Sequence, residues 1–356
     1  MKDIGSIFPL YDCYFSEDYS KKPLSSRYES LKLYSLCREA LYDIAQEYHD
    51  TGKRVLMPAY TCQTVIEPFL QLGWDVSFYS ISRKLRIDSQ SLLDAINLYN
   101  PDVVVAHPYY GMDFDEEEID LLRRAKLKGC ILVVDITQCI FSNVRLSFAD
   151  YYVGSYRKWF GCPDGAFLEP MNSDHKISHD GYTDNQTFVG KQTDAMYLRG
   201  VYFVTNDETV KQISIRLNKE AVHGISQTIT PHRMADISLR MMANEDMEYN
   251  QSQRMCNYHI LFQGLRNDGD CALVCDDLSQ ITNAPLYFPI YIENRAELQK
   301  RLAQHHIYAP VLWPVCNSAI QINETIAYIF NHLLAIPCDQ RYDEDDMNRI
   351  IKVITG

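Results

Sequence analysis

The sequence is short of positive charge, of long apolar runs and of paired cysteines. Lysine and arginine number 34 against 47 aspartate and glutamate, a net charge of −13 over 356 residues. A chain this acidic has no field with which to collect nucleic acid or an anionic membrane surface, so an anionic ligand must meet local positive groups. Within these residues no basic segment of the DNA-binding kind stands out. No apolar run is long enough to span a bilayer, and the stretch MKDIGSIFPLYDCYF has no sustained apolar segment of the signal-peptide kind. The eleven cysteines never form the double CxxC pattern of a metal site, and the nearby Cys271 and Cys275 fall inside a strand-like run. Buried free thiols and a reducing, cytoplasmic setting are the expectation, with no metal.

Apolar letters make up 46% of the chain, enough for a large core and for two domains. The most informative stretch is 131–168, ILVVDITQCIFSNVRLSFADYYVGSYRKWFGCPDGAFL. ILVVD is short, apolar and largely β-branched, the pattern of a strand buried on both faces, and it ends on Asp135. A second run, YYVGS, ends at Ser155, after which the chain turns through Tyr156 and Arg157 to Lys158 and returns through GCPDGAF. Strand ends are where open α/β sheets bind ligands, so an acid and an amine at successive strand ends form a candidate site. Pyridoxal phosphate needs those groups: an amine for its aldehyde, a carboxylate for its ring nitrogen, and hydroxyl or amide donors for its phosphate. Lys158, Asp135 and Ser155 supply them in that order. Taken singly, a solvated loop lysine and a helix-capping aspartate explain the same letters.

Asp135-Ile-Thr-Gln138 resembles the D-x-x-Q motif, and Ser155-Tyr-Arg-Lys158 the S-x-x-K motif, of fold-type-I pyridoxal-phosphate enzymes. With its flanking text the chain resembles a divergent member of the DegT/DnrJ/StrS group of sugar aminotransferases, in which the serine-to-lysine spacing is commonly longer. The likeness takes in PAYTCQTVIEPF, HRMADIS and a C-terminal region with LYFPI, VLWP and IPCDQRY. It implies an α/β fold: a large domain with a mainly parallel, seven-stranded-type sheet between helices, and a smaller α+β C-terminal domain. The expected boundaries are an N-terminal arm over 1–24, the large domain over 25–231, a linking helix over 232–264 and the small domain over 265–356. It also implies a Lys158 internal aldimine and a transamination whose acceptor is a keto-sugar, nucleotide-linked, or a related small keto substrate, as in polysaccharide biosynthesis. Another pyridoxal-phosphate reaction, elimination or decarboxylation, and a non-catalytic ligand-binding role stay open, because fold alone does not fix the reaction.

Along the chain, Ser26 to His49 carries apolar positions at three and four, which predicts an amphipathic helix. Its start holds Ser35, Cys37 and Arg38, where the resembled group has its phosphate-binding turn; an arginine on a solvated helix face is the alternative. RVLMP, the following PAYTCQTVIEPFLQL and DVSFYSI read as strand, helix and strand, a crossover with a parallel pair. The group's stacking aromatic aligns with Cys62, which cannot stack; Tyr60 is the nearest ring, or it is a core residue. Residues 88–99 read as a helix, and DVVVAHPYYG as a third buried strand with His107 and Tyr109 at its tip, on the substrate side or as structural residues. DEEEIDLLRRAKLKG is a surface helix with acid at its start and base at its end. Residues 170–195 are polar and turn-rich, an exposed insertion or lid. HRMADIS resembles a segment that crosses a dimer interface to the cofactor phosphate; Arg233 matches and Pro231 replaces the group's asparagine, or Arg233 pairs within its own subunit. Trp313 and Arg341 fall in C-terminal loops that line the cleft in the group, with core packing and a solvated charge as alternatives. An amino donor, a small keto or sugar substrate and a homodimer with composite sites are the expected partners.

Overall fold

The computed structural model describes residues 2–10, 31–50, 52–172, 176–178, 180–225, 228–315, 317, 319–320 and 322–356. Residues 11–24 of the expected arm lie outside them. The chain groups into two compact units, one of Met1–Ser6, Tyr48–Tyr151 and Met247–Gly356, the other of Ile7–Glu47 and Tyr152–Asp246. The main sheet has seven strands.

In the first unit the strand order is Ile131–Asp135, Val103–Ala106, Arg54–Pro58, Asp75–Tyr79, every pairing parallel. The crossovers run through the helices Gln63–Gln71, Ser89–Tyr99 and Glu116–Leu127. Val103, Val104, Val105 and Ala106 are completely buried, as the unbroken apolar run requires of a strand covered on both faces. The surface helix Glu116–Leu127 starts on a capping box, Asp115 accepting from the Glu118 amide while the Glu118 side chain accepts from the Asp115 amide. Asp150 ties that helix to the sheet, accepting from Lys126 Nζ at 2.7 Å and from the Leu132 amide at 2.7 Å. The same unit contains an antiparallel three-stranded sheet with Phe288–Ile292 between Cys271–Leu273 and Leu333–Ile336. Ile4–Gly5 adds a short parallel pairing with Ile307–Tyr308. Cys271 and Cys275 are buried free thiols.

In the second unit the strand order is Lys32–Tyr34, Ala166–Pro170, Tyr151–Ser155, with the first pair antiparallel. The helices are Cys37–Glu47, Gln186–Thr205, Glu208–His223 and Asp236–Ala243. Leu36, Phe188, Val189, Ala221 and Ala235 share one buried cluster, against which Ile225 and Ile237 pack.

Two expectations are corrected here. In place of a helix from Ser26 to His49, Lys32–Tyr34 extends and pairs with Ala166–Leu168, and the helix starts only at Cys37. Residues 26–30 lie outside the described residues. Tyr34 serves a sheet contact instead, and a carboxylate fixes the real start: Glu39 accepts from the Leu36 amide at 3.2 Å. In place of one helix over 232–264 there are two, Asp236–Ala243 and Met247–Leu265. The break follows a tightened last turn, where the Asn244 and Glu245 amides donate three residues back to Met241 and Met242. Among the described residues no helix is long and apolar enough to cross a membrane.

Candidate active site

In the first unit, parallel register brings three strand ends together. Val104 is level with Leu56 and Ala106 with Val134, so the chain leaving each strand emerges on one edge. That edge carries Thr61, His107 and Asp135, all buried. Asp135 is 6% exposed, and its Oδ1 accepts from the Thr137 amide at 2.9 Å, the Asx turn that swings the chain off the strand. Its Oδ2 lies 3.7 Å from His107 Nδ1, and His107 Nε2 is 2.8 Å from Thr61 Oγ1.

Gln138 sits in the turn that follows, which the Cys139 amide closes on Ile136 O at 2.8 Å. Its Oε1 accepts from the Tyr110 amide at 3.1 Å, which fixes the amide orientation. Its Nε2 is buried and has no partner among the described residues. A buried NH2 of this kind calls for an acceptor.

Tyr60 is completely buried, its ring packed among Trp313 at 5.2 Å, Phe330 at 5.6 Å and Tyr109 at 5.8 Å between centroids. Tyr109 donates its hydroxyl to Tyr60 O at 2.5 Å. Burial pushes the Tyr60 and Tyr109 phenols well above their ordinary range, so both are neutral hydroxyls. Cys62 opens the helix Gln63–Gln71 from an extended backbone and accepts from Thr64 Oγ1 at 3.1 Å. Arg341 grips Asp339 with Nε and Nη2 at 2.7 and 2.8 Å, and also donates to Ser6 O. Burial raises the Asp339 carboxyl, but Arg341 and the buried Arg254 outweigh it and hold it below the ordinary carboxylate range.

In the second unit, Ser155 ends its strand 2% exposed, and a single 3-10 turn over Tyr156–Lys158 follows. The half-buried Lys158 amine makes no hydrogen bond or ion pair to the described residues. The return passes Gly165, at φ +138, whose amide donates to Ser35 O at 2.9 Å. A Cβ there would lie 2.8 Å from Met234 Cε, so the left-handed backbone and the close approach both demand glycine. Cys37 and Arg38 occupy the first turn of the helix Cys37–Glu47, Arg38 buried.

Beside that turn stands a set of carboxylates that sequence reasoning missed. Glu39 also accepts from the His232 amide at 3.2 Å and faces its Nδ1 at 3.3 Å. Asp164 accepts from the Ser238 hydroxyl and the Ala235 amide, and burial pushes it up to about 6. Asp43 accepts from Tyr34 at 2.6 Å and Tyr182 at 3.0 Å and is likewise raised by burial to about 6. Arg233 is partly exposed, held by Asp184 and Asp236 at 2.9 Å each. The missed residues lack a motif, and only their enclosure distinguishes them from surface charges.

No family model and no curated relative matches the chain. Solved structures do, over nearly its whole length. A putative sugar aminotransferase of Streptococcus pneumoniae, in its PLP form, superposes with a TM-score of 0.71 at 12% identity, covering 99% of this chain and 98% of that one. The aminotransferase TlmJ of Streptoalloteichus hindustanus gives 0.70 at 14% identity, over 99% and 98%. A DegT/DnrJ/EryC1/StrS aminotransferase of Brucella abortus gives 0.63 at 15% identity, over 98% and 90%. The chain has the aminotransferase fold. Within this aminotransferase fold, Asp135 ends a sheet strand and Lys158 ends the 3-10 turn after Ser155.

Proposed function

We propose that the protein is a pyridoxal-phosphate-dependent aminotransferase whose acceptor is a keto-sugar, nucleotide-linked. The observation that carries the reading is Lys158: an amine with no partner among the described residues, in an S-x-x-K turn of an aminotransferase fold. The rest of the donor set fits the cofactor. Asp135 is a buried carboxylate of the kind a pyridinium nitrogen needs, and Gln138 Nε2 is a buried donor without an acceptor among the described residues, suited to the ring's phenolic oxygen. Ser155 and the first turn at Cys37 and Arg38 offer hydroxyl, amide and guanidinium donors to a phosphate. When bound, pyridoxal phosphate supplies the electron sink for cleavage of a bond at the α-carbon.

The chain's own groups do the remainder. Lys158 would hold the cofactor through Nζ, and its amine would move the proton at the substrate α-carbon. Asp135 would hold the ring nitrogen and keep it protonated. Tyr60 and Cys62 bound the cofactor side, while His107, Tyr109, Trp313 and Arg341 belong to the substrate side or its support. The active unit is a cytoplasmic homodimer with two composite sites, in which Arg233 reaches the phosphate held by the partner subunit.

The test is a half-reaction. Loaded with pyridoxal phosphate, the protein should absorb in the visible region and lose that band on addition of an amino donor. Borohydride should trap an adduct on Lys158, and Lys158→Ala should abolish it and lower turnover by roughly 10²–10⁴-fold. A bound cofactor that no amino donor converts would instead mark a ligand-binding protein, and a trapped adduct on another lysine would remove Lys158 from the role.

A further inference from the structure

Asp135 is steadied from two sides, and only one of them is local. The Thr137 amide holds Oδ1 at 2.9 Å from two residues away. Oδ2 faces His107 Nδ1 at 3.7 Å, across neighbouring strands, and the far nitrogen of the same ring meets Thr61 Oγ1 at 2.8 Å. All three side chains are buried: Thr61 is completely covered, and the side chains of His107 and Asp135 are 6% and 7% exposed. The His107 and Tyr109 rings also pack edge to face, 5.8 Å between centroids.

We infer that His107 is a positioning residue for Asp135, held by the Thr61 hydroxyl in the tautomer that carries its proton on Nδ1. An unprotonated Nδ1 would set its lone pair against the carboxylate oxygen, a repulsion that little water is present to screen. With the proton on Nδ1, Nε2 is left as an acceptor, and Thr61 donates to it. Residues from three loops, each following a different parallel strand, thereby set the plane of one carboxylate. The arrangement holds a strand-tip carboxyl in one orientation, in which it would serve the ring nitrogen of the cofactor. This inference rests on the proposed cofactor, and it gives His107 a role other than substrate contact.

The test has two arms, and the first needs no cofactor. Long-range ¹H–¹⁵N spectra of the unloaded protein should show His107 protonated at Nδ1, and Thr61→Val should shift that tautomer balance; an Nε2–H tautomer in the wild type overturns the inference. The second arm measures pyridoxal phosphate affinity by equilibrium dialysis. His107→Asn keeps an N–H at the δ position and should bind within about threefold of wild type, whereas His107→Gln moves the amide one atom outward and should bind about tenfold more weakly. Equal affinities for the two variants overturn the positioning role while leaving the proposed function intact. Failure of the wild type to bind overturns that function, and this inference with it.

Discussion

Asp43 shows what burial does to a single residue. Its carboxylate accepts from two phenols, Tyr34 and Tyr182, and those bonds favour the ionised form, yet burial outweighs them and raises it from 3.8 to about 6. A carboxyl that holds its proton more tightly folded than unfolded costs the folded state stability as pH rises through that window. His232 acts in the same direction: its bond to Glu39 raises it, so its contribution is present in acid and is lost as pH climbs through the raised value. Urea unfolding between pH 4 and pH 7 should therefore show stability falling through the Asp43 window, with a shallower fall in Asp43→Asn. An unchanged slope would mean that Asp43 does not titrate there. Asp135 is a different case, since it is proposed to act on the cofactor. Asp135→Asn should still retain cofactor while turnover falls by roughly a hundredfold or more, measured by dialysis and by the half-reaction.

At the scale of the element, close approach decides more than propensity. The strand Tyr151–Ser155 is buried at every position, and a Cβ on Gly154 would lie 2.5 Å from Phe167 Cε1 and 2.8 Å from its Cζ. Gly154→Ala must push that ring aside, at a cost of about 1–3 kcal/mol in a chemical denaturation experiment. A wild-type stability would show that Phe167 can turn away freely. Asp115 is the opposite kind of residue, a cap whose whole partner set is local. Asp115→Ala should cost about 1 kcal/mol and leave cofactor binding unchanged. The helix Glu116–Leu127 was legible for that reason, with its cap and charges at both ends. The segment Lys32–Tyr34 was not, because its strand conformation is decided by pairing with Ala166–Leu168, more than 130 residues away.

For the molecule as a whole, the proposed homodimer gives a test that no single-chain measurement replaces. Sedimentation should give twice the 41.3 kDa mass of one chain. Mixing Lys158→Ala with Arg233→Ala chains should restore activity if Arg233 serves the neighbouring site. A mixed dimer then has one site with both lesions and one intact, and random exchange returns roughly a quarter of the wild-type activity. No recovery after demonstrated subunit exchange would place Arg233 with Asp184 and Asp236 of its own chain, the partners it has here.

Much of the fold was written locally. The buried strands Val103–Ala106 and Ile131–Asp135, the capped helices between strands, and the parallel order they impose all follow from apolar run length and end chemistry, which each segment carries within itself. The two motifs that hold Asp135, Gln138, Ser155 and Lys158 are also local in sequence, but their role is implied by resemblance to pyridoxal-phosphate enzymes and not by periodicity. Tertiary structure alone decided how those residues are supported. It made Gln138 Nε2 a donor in need of an acceptor by committing Oε1 to Tyr110, and it set Thr61 and His107 behind Asp135 through the register of neighbouring strands. It closed Tyr60 among Trp313, Phe330 and Tyr109, and it enclosed Asp43 and Asp164 until their carboxyls shifted. The physical reason is range. Capping and periodicity act over a few residues of chain, whereas desolvation and cross-strand contact depend on which distant segments come to lie alongside.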